Sequence, residues 1–327
     1  MADIKLKLLR IMDIMKKTDE DHPVTAGQIV KELSAYGITA ERKSVGRDLN
    51  ALKEAGYDIL LSKNARLGYY MGEHEFEDWE LKVLGDAVWS AKFLTNNTAR
   101  ELSRKLYQLS SEAGEKNLRQ LSLSYNPLKS HYPTTRINIS VLMDAIRKKH
   151  MVCFQYTYTD TDMKKKERWN GKLYRFSPYK LVWHGDFYYA VGNKDGYDNL
   201  SFYRLDRIAN VCILDDACRP IKDVAGTNAA EALEEFITSS IYSYNGKKIH
   251  LGIVFSPEHL DDIIDYFGSE LSIKMIGDQC QTRVEVIDSD GLYFWLLQYS
   301  QTVRVVEPEE VKNKLKEKAE NIIKMYT

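Results

Sequence analysis

Arg42, Lys43, Ser44 and Arg47 fall within one six-residue stretch, and each can donate hydrogen bonds to a phosphate or a base edge. Arginine matches guanine O6 and N7 with two parallel bonds, whereas lysine and serine reach phosphates and base edges less selectively. Lys63, Asn64 and Arg66 repeat that chemistry a little further on. A second set, Tyr156, His184, Tyr188, Tyr203, Arg204 and Arg207, mixes flat aromatic rings with guanidinium groups. Nucleobases stack on such rings while guanidinium groups hold phosphates.

The first set needs a helix and a hairpin to present it. Ile4, Leu8, Ile11, Met12 and Met15 recur at helical spacing, which predicts a helix over 4–17. After Pro23, Thr25 with Gln28 three residues on forms a capping-box pattern, so a second helix starts there with Ile29, Val30 and Leu33 inward and ends at Gly37. A third helix over 40–55 buries Val45, Leu49 and Leu52, stops at Gly56, and leaves Arg42, Lys43, Ser44 and Arg47 on its other side. Residues 57–61 and 67–71 read as two short strands around a polar turn, so Lys63, Asn64 and Arg66 sit at a hairpin tip. Three helices with a tight second connection and a basic hairpin predict a winged helix-turn-helix over 1–72. A merely solvated basic face is the plainer alternative, and Arg47 with Asp48 can brace the helix instead of reading DNA. Gly46 in mid-helix costs about 1 kcal/mol against alanine, which a close backbone approach to DNA would explain.

The rest of the chain predicts an α+β multidomain protein. Residues 73–139 form a helical connector, with Trp79, Leu81, Leu84, Val88, Leu94, Leu102, Leu106 and Leu109 at helical spacing, and 122–140 with Pro127 and Pro133 breaks the pattern as a flexible boundary. A helix over 140–149 opens a domain spanning 140–222. Strand-like runs follow at 152–159, 174–183, 187–192, 200–205 and 209–214, and five short strands so closely spaced predict a small, strongly bent sheet or barrel. Its tyrosines have the usual fate of strand aromatics, the core, as their competing role. Strand alternation puts Arg204 and Asp206 on one face and Tyr203, Leu205 and Arg207 on the other, so the two arginines act together only if the strand bends. Residues 223–327 contain a linker and a small unit read as strand, helix, strand, strand, helix, strand, helix.

Charge divides unevenly along the chain. Lys and Arg against Asp and Glu number 12 to 10 over 1–72, 15 to 10 over 141–222 and 10 to 18 over 223–327, so an anionic partner is favoured by 1–72 and 141–222 and repelled by 223–327. Neither a secretory signal nor a membrane span is visible, which predicts a cytoplasmic protein without a membrane partner. Cys153, Cys212, Cys218 and Cys280 are too scattered for a disulfide framework and read as reduced thiols. GxGxxG, GxxxxGK[ST], HExxH and GxSxG are all missing and the seven histidines lack ligand spacing, so neither an enzyme nor a cofactor or metal site is expected.

Four stretches resemble known families. ERKSVGRDLNAL, residues 41–52, resembles the recognition helix of DeoR-type winged-helix repressors, in which an Arg-Asp-Leu tripeptide precedes a second leucine. YRFSPYKLVWHGDFYYAVG, residues 174–192, and FYRLDRI, residues 202–208, resemble the WYL domain that often follows such a winged helix. Phe187, Tyr188 and Tyr189 stand where that family has Trp-Tyr-Leu; Pro178, Gly185 and the 204–208 run carry more of the likeness. FWLLQYSQTVRVVEPEEV, residues 294–311, resembles the C-terminal extension joined to WYL domains, without the glycine usual near Tyr299 or Ser300. The resemblance implies an Sm/SH3-like β-barrel (WYL-like) in the middle, a C-terminal small α+β extension domain, and a homodimer. It also implies a ligand-responsive transcription regulator that binds a double-stranded DNA operator and senses a nucleotide or oligonucleotide effector. A protein that binds RNA or single-stranded DNA through the barrel is the alternative.

Overall fold

The computed structural model describes residues 2–64, 68–130, 134–239 and 246–327. It is mixed α/β with several antiparallel sheets, and its contacts divide it into two units, residues 1–133 and 134–327. Arg66 lies outside the described residues.

In the first unit, α1 (Ala2–Met15), α2 (Ala26–Ala35) and α3 (Arg42–Glu54) precede the hairpin β1 (Ile59–Leu61) and β2 (Tyr69–Met71). Thr25 caps α2 as its sequence requires: its hydroxyl accepts from the Gln28 amide, and the Gln28 side chain accepts from the Thr25 amide. Ile11 and Met15 of α1, Ile29 and Leu33 of α2, and Val45 and Leu49 of α3 are all fully buried in one cluster that Ile59 and Met71 complete. Burial of six such side chains is the main reason three short helices hold together. The hairpin is pinned to the segment before α2 because Val24 and Tyr69 exchange both backbone hydrogen bonds at 2.8 Å. Gly68 permits this approach: its φ is +104°, and a Cβ there would meet the Val24 carbonyl oxygen at 2.1 Å.

The connector is three helices, α4 (Asp78–Ser90), α5 (Asn96–Tyr107) and α6 (Glu112–Leu121), packed around Leu81, Tyr107 and Leu118. The breaks come where Thr95 and Ser111 cap the next helix with their hydroxyls, a signal that apolar periodicity alone does not register.

The second unit opens on α7 (Thr134–Lys148), which starts inside the stretch expected to be a flexible boundary. Its first turns are anchored by polar residues: Thr135 and Asn138 are buried, and Asn138 Nδ2 donates to the carbonyls of Leu205 and Ile208, each at 2.8 Å. There follow β3 (His150–Thr159), β4 (Lys165–Glu167), β5 (Leu173–His184), β6 (Phe187–Lys194), β7 (Leu200–Arg204) and β8 (Ile208–Ala217), then α8 (Lys222–Ala225) and α9 (Ala229–Ser239). The sheet order is β7-β6-β5-β3-β8, all antiparallel, with β4 on the far end of β3. Among the described residues no strand pairing closes this sheet into the Sm/SH3-like barrel that the resemblance implies. A three-residue 3-10 turn, Leu205–Arg207, joins β7 to β8, and among the described residues those two strands do not pair. Phe154 and Phe176 are fully buried beneath the sheet with Leu142 and Ala145 of α7.

The expectation of four reduced thiols is also corrected. Cys153 on β3 and Cys212 on β8 face each other across the ladder with Cα atoms 5.4 Å apart and are joined as a disulfide. They are 59 residues apart in sequence, so only the strand register brings them together. Cys218 and Cys280 are free.

The last part alternates β9 (Lys247–Phe255), α10 (Leu260–Phe267), β10 (Lys274–Ile276), β11 (Gln279–Asp288), α11 (Asp290–Gln298), β12 (Val303–Glu307) and α12 (Glu309–Tyr326), the element order read from the sequence. Its antiparallel sheet runs β10-β11-β9-β12, the arrangement of a split β-α-β fold, and the fully buried Trp295 sits in its core.

Candidate nucleic-acid interface

The α3 stripe Val45, Leu49 and Leu52 turns inward, and Arg42, Lys43 and Arg47 are exposed on the opposite side. Asp48, one residue beyond Arg47, does not pair with it. Its carboxylate meets Lys7 Nζ of α1 at 2.8 Å, with the two side chains only 17% and 12% exposed. Lys7 Nζ also donates to Ser44 Oγ at 2.6 Å. Ser44 and Asp48 are one helical turn apart and share a face, so one lysine holds both. This pulls Ser44, expected among the reading residues, toward α1 as a half-buried anchor. The same contact removes the one carboxylate that would neutralise Arg47, which has no ion pair among the described residues. Arg42 leans back over α2, close enough that a Cβ on Gly27 would sit 3.3 Å from its guanidinium. Lys63, after β1, is 96% exposed, with Glu20 at 3.5 Å, and Asn64 beside it is exposed as well.

Gly46 has open space around it: a Cβ there meets nothing within 4 Å. Gly46→Ala should therefore raise the stability of the N-terminal unit by about 1 kcal/mol, read from chemical denaturation. If the backbone approaches DNA at this position, the same variant loses duplex affinity while gaining stability.

The second set is partly core. The Tyr156 and Tyr203 rings lie 5.3 Å apart, and Tyr203 also contacts Phe154, Tyr174 and Phe176 at 5.2 to 5.8 Å. Burial pushes the hydroxyls of both tyrosines well above their ordinary range, so they stay protonated. Tyr156 Oη accepts from the Arg204 amide at 3.2 Å, which fixes the end of β7. These two tyrosines therefore shape the site from beneath. Tyr188 is half-buried against the same core, opposite Trp183. His184 pairs with Phe187 at the end of the β5–β6 hairpin, where burial lowers its pKa and keeps it neutral at pH 7. Among the described residues no hydrogen bond or ion pair joins His184 to Tyr156 or Tyr203.

The strand does bend where alternation required it to. Because Leu205–Arg207 is a 3-10 turn, residues three apart stack on one side, and Arg204 and Arg207 come to the same region. Both charges act on Tyr156 and on Lys165. Arg204 is held by a two-point ion pair with Asp206, Nε to Oδ1 at 3.1 Å and Nη2 to Oδ2 at 2.8 Å, and its guanidinium stacks 3.3 Å from the Phe187 ring centre. Arg207 has no ion pair among the described residues, and its carbonyl accepts from Thr157 Oγ1 at 3.0 Å. Sequence reasoning missed three members of this region. Lys165 donates to the Asp206 carbonyl, Arg168 lies 5.8 Å over the Tyr156 ring, and Trp169 is 76% exposed beside it. The run KKKERWNGK, residues 164–172, was the available signal: a dense basic stretch with one tryptophan inside it.

Residues 138–213 match the family model of the WYL domain, and residues 247–323 match that of the WCX domain. The chain carries both domains. No curated protein matches it. Among solved structures it is similar to proteasome accessory factor B/C (PafBC) of Arthrobacter aurescens, at 15% identity and a TM-score of 0.30. That match covers 94% of this chain and 47% of PafBC, so the chain spans about half of that protein's length. It is also similar to a CRISPR Cas-related protein, at 11% identity and a TM-score of 0.38, over 78% of this chain and 75% of that one. Among the described residues no helix is long and apolar enough to cross a membrane.

Proposed function

We propose that this chain is a ligand-responsive transcription regulator and not an enzyme. In this reading α1–α3 and the β1–β2 hairpin act as a winged helix-turn-helix on duplex DNA, and the WYL domain senses a nucleotide or single-stranded nucleic acid. The observation that carries it is the division of charge on α3: Lys7 draws Asp48 into the helix packing, while Arg42, Lys43 and Arg47 stay exposed. A helix whose exposed side carries Arg42, Lys43 and Arg47, with Asp48 turned away to Lys7, suits entry into a major groove. Two copies would present two such helices to a two-fold operator, about 34 Å apart or a multiple of it. Selecting bound fragments from random duplex DNA tests this, and a recurrent sequence with inverted half-sites is the expected yield.

On the effector side, the open charge is Arg207, because Arg204 is already committed to Asp206 and Phe187. Arg207→Ala should weaken binding of a short single-stranded oligonucleotide by about 1–3 kcal/mol and leave duplex affinity nearly intact, both measured by fluorescence anisotropy. Arg204→Ala additionally strands Asp206, so it should cost stability as well as effector affinity.

A further inference from the structure

We propose that Cys153 and Cys212 are a reversible oxidation site, a dithiol that a hydroperoxide converts to the disulfide, and that its state sets how firmly the Arg204–Arg207 turn is held. The second half of the proposal rests on the effector reading given above.

The two residues are directly opposed on β3 and β8. Val152 and Phe154, flanking Cys153, point into the core, so the cysteine pair lies on the outer face of the sheet. Cys153 is half-buried and Cys212 exposed, so small oxidants and reductants reach the sulfurs without unfolding the sheet. Arg175 of β5 is the register partner of Cys153, which puts a guanidinium, shared with Asp195 and Asp216, on that same face.

The pair borders an irregularity in the ladder. Pairing steps from Cys153↔Cys212 to Gln155↔Ala209, so β8 carries one residue more than β3 across this interval. Asn210, in the extra stretch, has a φ of +52°, and its side chain donates to Gln155 Oε1 at 2.6 Å. Immediately past this bulge Ile208 pairs with Tyr156, and Thr157 holds the Arg207 carbonyl. In the oxidised form a covalent bond closes the bulge on one side. In the reduced form the same side depends on ladder hydrogen bonds and the Gln155–Asn210 contact alone.

The chemistry balances with hydrogen peroxide as oxidant. The exposed Cys212 thiolate attacks one peroxide oxygen, an S–O bond forms as the O–O bond breaks, and the departing hydroxide takes a proton to leave as water. The Cys153 thiolate then attacks that sulfur, the S–S bond forms, and the hydroxyl leaves as a second water after protonation. Two thiols and one peroxide give one disulfide and two waters. A dithiol reductant reverses the step by exchange.

The test uses the full chain, treated either with hydrogen peroxide or with dithiothreitol, then alkylated and digested. A Cys153–Cys212 linked peptide should appear after peroxide and disappear after dithiothreitol, with Cys218 alkylated in both samples; Cys212→Ser should abolish the link. Amide hydrogen exchange over 205–211 should be about tenfold faster in the reduced form. Absence of the linked peptide after peroxide, or a link that dithiothreitol leaves intact in the folded chain, overturns the oxidation site. Equal exchange in the two forms overturns the clamp. Oligonucleotide affinity is read separately on both forms: if neither form binds, the effector reading fails while the thiol chemistry stands.

Discussion

Arg47→Ala should weaken binding to the selected duplex by about 1–3 kcal/mol and relax its preference at one base position. The reasoning starts from the helix. Val45, Leu49 and Leu52 fix which side of α3 faces the core, and Arg47 lies on the side that remains. Its neighbour Asp48 is held by Lys7, and among the described residues no carboxylate pairs with the guanidinium. Lys43→Ala tests the contrast. A phosphate contact carries no sequence information, so its loss should reduce affinity uniformly and lower the slope of log affinity against log salt by about one unit. Anisotropy titrations at several salt concentrations, on the selected duplex and on a scrambled one, separate the two effects. Equal losses on both duplexes for Arg47→Ala would mean that it grips the backbone and reads no base.

Asp48→Ala should destabilise the N-terminal unit by about 3 kcal/mol or somewhat more. Lys7 and Asp48 are largely shielded from water, so removing the carboxylate leaves a cation whose remaining partner is the Ser44 hydroxyl. A half-exposed ion pair would contribute far less. The double variant Lys7→Met with Asp48→Leu removes both charges and keeps apolar volume, and it should regain most of the loss. Denaturant unfolding of all three proteins measures this. The double variant then separates stability from recognition: it keeps the fold of α3 and should retain Arg47-dependent binding. A negligible effect of Asp48→Ala would show that the pair is idle and that Asp48 is free to neutralise Arg47.

Much of this architecture was readable in the residues, because its signals are local. The capping box at Thr25, the stripe Val45, Leu49 and Leu52, and the stop at Gly56 each act within a few residues of themselves. What escaped depends on partners far away in sequence. Asn138 looks like a polar residue in a loop, yet it lies in the second turn of α7, inside the expected boundary, where it donates to the carbonyls of Leu205 and Ile208, 67 and 70 residues further on. The cysteine pair is invisible until register puts β3 beside β8. Helical spacing alone places Ser44 outward among the reading residues; Lys7, 37 residues earlier, turns it into an anchor. The sheet stays open for a similar reason, since strand spacing predicts five of its six strands, missing the short β4, and does not show that a 3-10 turn separates the last two.

The central claim is that α3 reads duplex DNA, and salt-dependent competition tests it most directly. The selected duplex and each of its single strands compete for the full chain across a range of salt concentrations. The account predicts that the α3-dependent component, lost in Arg47→Ala, prefers the duplex and its particular sequence at every concentration. Tighter binding to single strands at every salt concentration, with no preferred duplex sequence and no effect of Arg47→Ala, would contradict it.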